Sequence, residues 1–236
     1  MHEQTLLRIG LPGDRPLYAS RFRELLAREC NLPPLFFHRS PEGKSLEGQP
    51  LIRVVGGKKW VGILGDGEEG MNLVEMASGP AMRTVASEMG VSSPVRMETH
   101  KPEIKSCDRL VKYWVRELVV KRRSNKRRQD TVENLAEEMI LKGLTRGVDR
   151  FRMDESVLDD MLFRIEEVRR PRGLRLSTTS GDTNEFVTLM DVEFTLNREL
   201  SGIWFAGNLT SRGYGRIGRH LPELMNGSKK DRETIR

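Results

Sequence analysis

The sequence is short of the residues that build disulfide-linked and membrane-spanning proteins. Its 236 residues include two cysteines, Cys30 and Cys107, which lie too far apart for a zinc-binding spacing. We expect both to be reduced thiols of a cytoplasmic protein. No apolar run approaches the roughly 20 residues of a membrane span, and the N-terminal segment lacks the apolar core of a secretion signal. These shortages predict a soluble protein with no membrane partner.

Acidic clusters and metal-binding histidine motifs are missing too. The sequence contains no D-x-D and no H-E-x-x-H, and Asp159 and Asp160 fall on the solvated face of a predicted helix. Catalytic magnesium needs grouped carboxylates, and zinc needs grouped histidines, cysteines or carboxylates. We therefore predict that the protein has no metal site, needs no cofactor and performs any chemistry without metal.

Positive charge is abundant and concentrated. Forty Lys and Arg oppose 34 Asp and Glu, for a net charge of +6, which favours a polyanionic partner. The segment KRRSNKRR has no acid and is either a solvated face or a surface that grips a nucleic-acid backbone. Its cations are Lys121, Arg122, Arg123, Lys126, Arg127 and Arg128. A second basic group, RRPRGLR, occupies residues 169–175.

A glycine-rich segment near the C-terminal end, GNLTSRGYGRIGRH, begins at Gly207. It contains G-x-G-x-x-G, the spacing of dinucleotide-binding loops. Such a loop requires a following helix, a second strand and an acidic residue about 20 positions on. The residues after Gly218 include Pro222 and provide none of these, so we exclude a dinucleotide site.

Two interpretations of the glycine segment remain open. It is either a mobile connection that needs positive φ at two glycines, or a backbone platform for phosphate with arginines beside it. In the second case a tyrosine between the glycines can stack on a base. The RNA-binding candidates are then Arg212, Gly213, Tyr214, Gly215, Arg216 and Arg219.

The first hundred residues alternate between strand and helix patterns. The patterns predict a strand at 5–10, a helix at 16–31 capped by Asp14, a strand at 32–39, a hairpin at 50–65 turning at Gly56–Gly57, a helix at 71–90 kinked or split at Gly79–Pro80, and a strand at 93–101. The order βαββαβ is that of the ferredoxin-like fold and of the RNA recognition motif.

The second half begins and ends with strands. The patterns predict a strand at 108–123, two or three helices within 129–168 that break near Gly143–Gly147 and are capped by Asp154 or Ser156, and strands at 173–179, 185–196 and 202–207. We place one domain at 1–103 and a second at 104–236, with a helical insertion at about 121–172 and the glycine-rich loop at 207–218.

This layout resembles the CRISPR-associated endoribonucleases of the RAMP superfamily, which cut precursor CRISPR RNA at each repeat. The basic helical insertion and the arginines of the first helix are most similar to the type IV branch. The resemblance implies an α+β fold of tandem ferredoxin-like (RRM-like) domains with an Arg-rich helical insertion in the second. It also implies metal-independent cleavage that leaves a 2′,3′-cyclic phosphate and a 5′-hydroxyl. Branch members stay on the repeat hairpin as subunits of an effector complex.

The resemblance also implies catalytic residues, with one departure. Many members use a histidine near the first helix, but that helix here has Tyr18 and no histidine, and His38 lies beyond the next predicted strand. The type IV similarity favours Arg23 and Arg39. Arg23, His38 and Arg39 are therefore the catalytic candidates, and either the histidine or the arginines dominate. The alternative function is a non-catalytic RAMP subunit that binds guide RNA.

Overall fold

Two antiparallel sheets organise residues 3–12, 16–121, 130–177 and 184–219, which the computed structural model describes. The first sheet has the strand order β2-β3-β1-β4. Its elements are β1 (Gln4–Gly10), α1 (Ala19–Glu29), a 3₁₀ turn (Pro34–Phe37), β2 (Ile52–Gly57), β3 (Trp60–Asp66), α2 (Gly67–Met89) and β4 (Val95–His100). The predicted order βαββαβ is confirmed.

Alternation along the strands explains how the helices pack on the first sheet. In β1, Leu7 and Ile9 join the core beneath the helices, whereas Leu6 faces the other way, because successive side chains of a strand point to opposite faces. Helix α1 buries Phe22 and Leu25 in the same core. The sheet therefore has one face covered by its own helices and one face left for the second unit.

Four local predictions in the first unit are wrong. The segment predicted as a strand at 32–39 contains a 3₁₀ turn at Pro34–Phe37 instead, since Pro34 stands at its first position and cannot donate to a ladder. Helix α1 is preceded by Tyr18 as N-cap, and Asp14 lies outside the described residues. Helix α2 runs unbroken through Pro80, because its buried face packs on the sheet on both sides of that residue. Gly56–Gly57 end β2, so the turn of the hairpin lies at Lys58–Lys59 instead of at the two glycines.

The second sheet shares three strand positions with the first. Its order is β6-β7-β5-β9-β8, and its first three positions follow the pattern second, third, first seen in the first unit, while the next position is held by β9, the fifth strand of this sheet in chain order. Its elements are β5 (Glu103–Lys121), α3 (Val132–Arg150), a 3₁₀ turn (Glu155–Leu158), β6 (Phe163–Ser177), β7 (Asn184–Ser201), β8 (Trp204–Phe205), a 3₁₀ turn (Thr210–Arg212) and β9 (Arg216–Gly218). The fold is α+β with tandem ferredoxin-like domains.

Helix α3 corrects two predictions for the second unit. It continues through Gly143 and Gly147, where a break was expected, because both glycines let the helix approach β8 closely. A Cβ at Gly143 would lie 2.6 Å from the Phe205 carbonyl oxygen, and one at Gly147 would overlap the Trp204 ring. The helical pattern predicted to 168 ends earlier, since residues from Phe163 onward pair with β7. Asp154 caps the second 3₁₀ turn, as predicted.

The predicted basic insertion is described only in part. Lys121 ends β5, while Arg122, Arg123, Lys126, Arg127 and Arg128 lie outside the described residues. Within the described part, α3 connects the first and second strands of its sheet, the position that α1 holds in the first unit. No helix in the described ranges is long and apolar enough to cross a membrane.

The two units meet through a small apolar core with a buried polar edge. Leu6, Val55 and Leu64 of the first sheet pack against Ile203 and Phe205 of the second. At one end of this contact the Gln4 side chain accepts a hydrogen bond from the Ile203 backbone nitrogen at 2.8 Å and donates one to the Ile203 carbonyl at 2.9 Å. The shared core fixes how the two sheets face one another.

The buried carboxylate of Asp66 joins the units electrostatically. It accepts a hydrogen bond from Gln4 at 3.0 Å and forms an ion pair with Arg53 of β2. Arg150, at the end of α3, places its Nε 2.6 Å from the same carboxylate. One negative charge thus holds a cation from each unit.

Candidate active site

Arg23 is held in place on α1 by the segment that follows the helix. Its guanidinium donates to the Phe37 carbonyl oxygen at 3.0 Å and lies 5.3 Å from the centre of the Phe37 ring. The pKa of Arg23 is lowered to about 10, first by burial and then by the neighbouring charges of Arg212 and Arg39. The guanidinium remains protonated at neutral pH.

The structure brings together three predicted arginines from distant parts of the chain, which are Arg23, Arg39 and Arg212. Arg39 follows the 3₁₀ turn after α1, and Arg212 comes from the glycine-rich loop of the second unit. Both act on Arg23 as like charges that lower its pKa. Grouped guanidiniums repel one another unless an anion lies between them. This arginine cluster (Arg23, Arg39 and Arg212) is suited to a phosphate group.

The glycine-rich loop reaches α1 because its glycines permit close backbone contact. Gly213 has φ +86° and Gly215 has φ +73°, the conformation expected from the sequence. A Cβ on Gly213 would lie 2.5 Å from the Val54 carbonyl oxygen and 3.0 Å from the Ala19 Cβ. The loop therefore packs on β2 and the first turn of α1, which brings Arg212 beside Arg23.

We expect Gly213→Val to separate Arg212 from Arg23. The valine is strained at this φ and meets the β2 backbone, so the loop must move away. The RNA binding and cleavage that the sequence resemblance implies should both weaken, with a loss of thermal stability. Gly173→Val is the matched control, because a Cβ there meets nothing within 4 Å. Wild-type RNA affinity in Gly213→Val would show that the loop is only a connection.

His38 lies at the edge of a cleft between the two units. It ends the first 3₁₀ turn with φ +59°, and burial lowers its pKa. A hydrogen bond to the Leu46 backbone opposes this shift, while the charges of Arg150, Arg53 and Arg23 add to it. A pKa below the ordinary 6.5 leaves the imidazole neutral at pH 7, the form that accepts a proton.

The cleft has a volume of about 210 Å³ and a polar, cationic lining. Its cations are Arg53, Lys121 and Arg146, and its neutral polar groups include Asn208 and Ser211. Arg53 is buried and its charge is paired with Asp66, whereas Arg146 is exposed. An anionic strand that enters the cleft meets the charge-assisted donors that phosphates require.

A family model described as "Type IV CRISPR-associated endonuclease Csf5" matches residues 1–222. The chain belongs to this family. The fold agrees: the solved structure "Csf5, CRISPR-Cas type IV Cas6 crRNA endonuclease" is 36% identical, with a TM-score of 0.82, over 93% of this chain and 100% of that one. A search of curated proteins finds no match.

More distant structures share the architecture of this type IV endonuclease family. "Crystal structure of Cas6b" is 13% identical with a TM-score of 0.63 and covers 93% of this chain and 100% of that one. "Crystal structure of CRISPR RNA processing endoribonuclease Cas6b" is 14% identical with a TM-score of 0.57 and covers 92% and 100%. At this identity the likeness concerns the fold alone. The resemblance inferred from the sequence is confirmed.

Other predicted RNA-binding residues of this family member lie outside the cleft. Tyr214 packs partly against Val119 and its neighbours, and burial, followed by the charge of Glu117, raises its pKa. Arg216 lies 5.4 Å from the centre of the Trp60 ring. Arg219 pairs with Glu199 at the surface. Of the loop's predicted RNA-binding side chains, Arg212 is the one whose charge acts on the catalytic candidate Arg23.

The cleft also contains residues that sequence reasoning missed. Arg53 interrupts the apolar run 51–55, a signal of a charge held at a buried position. Arg146 and Asn208 carry no comparable signal, because each sits in an ordinary polar context of a helix or loop. In the described ranges no three His, Cys, Asp or Glu residues come close enough to hold a metal ion.

Proposed function

We propose that the protein is an endoribonuclease that cleaves precursor CRISPR RNA within the repeat. The observation that carries the proposal is the arginine cluster, which groups three cations from both units beside a neutral histidine. Membership of the type IV endonuclease family supports it, as does the 36% identical relative, which is named as a crRNA endonuclease.

The proposed reaction is attack by a ribose 2′-hydroxyl on the adjacent phosphate. The 2′ oxygen forms a bond to phosphorus, the bond to the 5′ oxygen breaks, and the products are a 2′,3′-cyclic phosphate and a 5′-hydroxyl. The hydroxyl proton must leave, the 5′ oxygen must gain one, and the phosphorane carries extra negative charge. Arg23, Arg39 and Arg212 stabilise that charge, and neutral His38 accepts the proton.

The arginines are the dominant groups in this proposal. Stabilisation of charge that develops in the transition state contributes more than most single effects, and a guanidinium is a poor base because it stays protonated. Solvent can carry protons more slowly when His38 is absent. We therefore assign charge stabilisation to the cluster and a smaller contribution to His38.

Binding of the repeat hairpin completes the proposal. Lys121, Arg122, Arg123, Lys126, Arg127 and Arg128 contact the RNA backbone, together with the glycine-rich loop. A basic surface of this size retains the product, because phosphate contacts dominate nucleic-acid affinity. The protein then stays on the repeat hairpin of the mature guide as a subunit of a cytoplasmic CRISPR effector complex. Domains 1–103 and 104–236 form the two sides of the RNA site.

We expect the purified protein to cut a hairpin-forming repeat RNA in excess chelator at its rate without chelator. The described residues at the cleft supply cations, not the carboxylates that magnesium requires. Radiolabelled RNA is cleaved with and without EDTA, and the ends are identified. The phosphate at the new 3′ end should resist removal by a phosphatase until acid opens the cyclic phosphate to a monophosphate.

Two results would contradict the proposed reaction. Cleavage lost in EDTA and restored by magnesium would show a metal-dependent mechanism. Tight repeat binding without cleavage in either condition would indicate the alternative, a non-catalytic guide-RNA subunit. The control is an RNA with a 2′-deoxy substitution at the cut position, which removes the nucleophile and should not be cut.

A further inference from the structure

A second cationic surface surrounds Trp60, at the far end of β2 from the cleft. Two guanidiniums lie against the indole: the Arg8 carbon is 4.8 Å from the ring centre and the Arg216 carbon is 5.4 Å away. Both are cation–π distances. We call this surface the Trp60 patch, and it comprises Arg8, Lys58, Lys59, Trp60, Arg116 and Arg216.

The arginines of the Trp60 patch are poorly neutralised. Arg8 lies 3.7 Å from Glu98, and this one carboxylate also acts on Arg216. Burial lowers the pKa of Arg216, the charge of Arg8 lowers it further, and the charge of Glu98 opposes the shift. A like charge at a partly buried position is costly without a counter-ion. The local charge favours an added anion.

Arg116 adds a further positive charge beside Arg216. It stands directly opposite Arg216 in the pairing of β5 with β9, and it is exposed. Like charges directly opposite on neighbouring strands are destabilising. Lys58 and Lys59, both exposed, form the turn between β2 and β3. Five cations therefore face solvent or one another around a single ring.

The chemistry of the patch matches a nucleic-acid strand. Proteins bind single strands by combining cations for the phosphates with aromatic or guanidinium planes on which bases stack. The Trp60 indole lies across Gly57, where any Cβ would overlap its ring nitrogen. The lack of a side chain at Gly57 therefore allows the ring to lie there. A protein partner would require only the charge, whereas the ring with two guanidinium planes suits bases as well.

The position of the patch links it to the cleft. Strand β2 leads from Arg53 in the cleft to Gly57 beneath the indole, a distance of about 13 Å along the strand. A stacked nucleic-acid strand rises about 3.4 Å per nucleotide, so this separation corresponds to roughly four nucleotides. Gly56 and Gly213 both pack beside Ala19 between the two sites, where an added Cβ would lie 3.6 and 3.0 Å from the Ala19 Cβ.

We propose that the Trp60 patch binds the repeat RNA strand about four nucleotides from the bond that is cleaved. This rests on the proposed cleavage in the cleft, and it adds Arg8, Lys58, Lys59, Trp60 and Arg116 to the RNA-contacting residues. The patch holds the strand on the side of the glycine-rich loop that faces away from the cleft. Its contacts are to phosphates and stacked bases, so they depend on salt.

The test measures RNA affinity over a series of salt concentrations for Arg116→Gln and for Lys58→Gln/Lys59→Gln. We expect each variant to bind a repeat RNA about tenfold more weakly, the effect of removing one charge-assisted hydrogen bond. The salt slope should fall by about 0.7 to 0.9 for each phosphate that the variant no longer neutralises. Arg164→Gln is the control: it removes the same charge from β6, at the other edge of the second sheet, and should bind as wild type does.

Two further measurements locate the bound nucleotides. Repeat RNAs shortened stepwise from each end should abolish the difference between wild type and Arg116→Gln once the nucleotides at the patch are absent. RNA should also quench tryptophan fluorescence in the wild type and less in Trp60→Phe, which keeps an aromatic ring in the hairpin. Quenching of equal size in both proteins would place the RNA elsewhere.

The outcomes separate this proposal from the proposed function. If wild type cleaves the repeat while both patch variants keep its affinity and salt slope, the Trp60 patch does not bind RNA. If wild type neither binds nor cleaves repeat RNA, the proposed function is wrong, and the proposal for the Trp60 patch, which rests on it, is wrong as well. Unchanged RNA affinity with weaker association of a purified effector subunit would assign the patch to a protein partner and overturn the proposal.

Discussion

Replacement of Arg23 by alanine should reduce the single-turnover rate of repeat cleavage by about 10² to 10³, the cost of losing one preorganised donor to transition-state charge. Arg23 is the member of the arginine cluster on which the charges of the other two act, and its hydrogen bond to Phe37 holds it in one position. Because its lowered pKa of about 10 is still far above neutral, the effect should be independent of pH between 6 and 8 (roughly one unit either side of neutrality).

Arg21→Ala is the matched control for Arg23→Ala. It removes an arginine two positions earlier on the same helix, where the side chain is exposed and pairs with Glu24 at 3.0 Å. We expect its cleavage rate to remain near wild type. RNA affinity and thermal stability are measured for both variants, so that a binding or folding defect is not mistaken for a catalytic one.

His38→Ala decides whether proton transfer or charge stabilisation dominates. We expect a smaller loss than for Arg23→Ala, because solvent replaces the imidazole as proton acceptor. A loss of more than about 100-fold for His38→Ala, with Arg23→Ala and Arg39→Ala near wild type, would reverse this ranking. The same set of variants thus tests both mechanisms that the sequence left open.

The second large effect concerns stability. Asp66→Asn should lower the free energy of unfolding by about 3 to 5 kcal/mol, because removal of one partner leaves an uncompensated buried charge. Here the asparagine would leave two cations, Arg53 and Arg150, facing one another at the domain junction. Urea unfolding monitored by circular dichroism measures the change, with the slope checked for two-state behaviour.

Two companion variants make the stability prediction specific. Glu24→Gln breaks the exposed ion pair with Arg21 and should cost at most about 1 kcal/mol. The double variant Asp66→Asn/Arg150→Met should be more stable than Asp66→Asn alone, since one of the two unpaired cations is gone. If the double variant is less stable than the single one, repulsion between the arginines is not the cause.

Local patterns in the sequence were sufficient for the order of elements. Apolar alternation and helical spacing predicted the βαββαβ order and part of each strand from β5 to β8, because these periods depend only on neighbouring residues. Strand β9 was not predicted, and the first residues of β6 were predicted as helix. The positive φ values of Gly213 and Gly215 were also predictable, since glycine is the residue for which that conformation carries no Cβ penalty. Net charge together with the clustering of the cations indicated a polyanionic partner.

Predictions failed where contacts between distant elements outweighed local preference. Gly143 and Gly147 were expected to end a helix, yet they lie where α3 packs on the backbone and ring of β8. Pro80 remains inside α2 for a related reason, because the helix is stabilised by its buried face. A single sequence contains the propensity of these residues but not the partner against which they pack.

The candidate site was also predictable from the sequence only in part. The sequence by itself determined which residue types were available: arginines on the first helix and in a glycine-rich loop, and a histidine, His38, soon after that helix. Only the tertiary structure decided that Arg23, Arg39 and Arg212 form one cluster and that Arg53 and Arg146 line the adjoining cleft. The reason is physical: packing of two sheets through a shared apolar core sets these distances, and no local pattern encodes them.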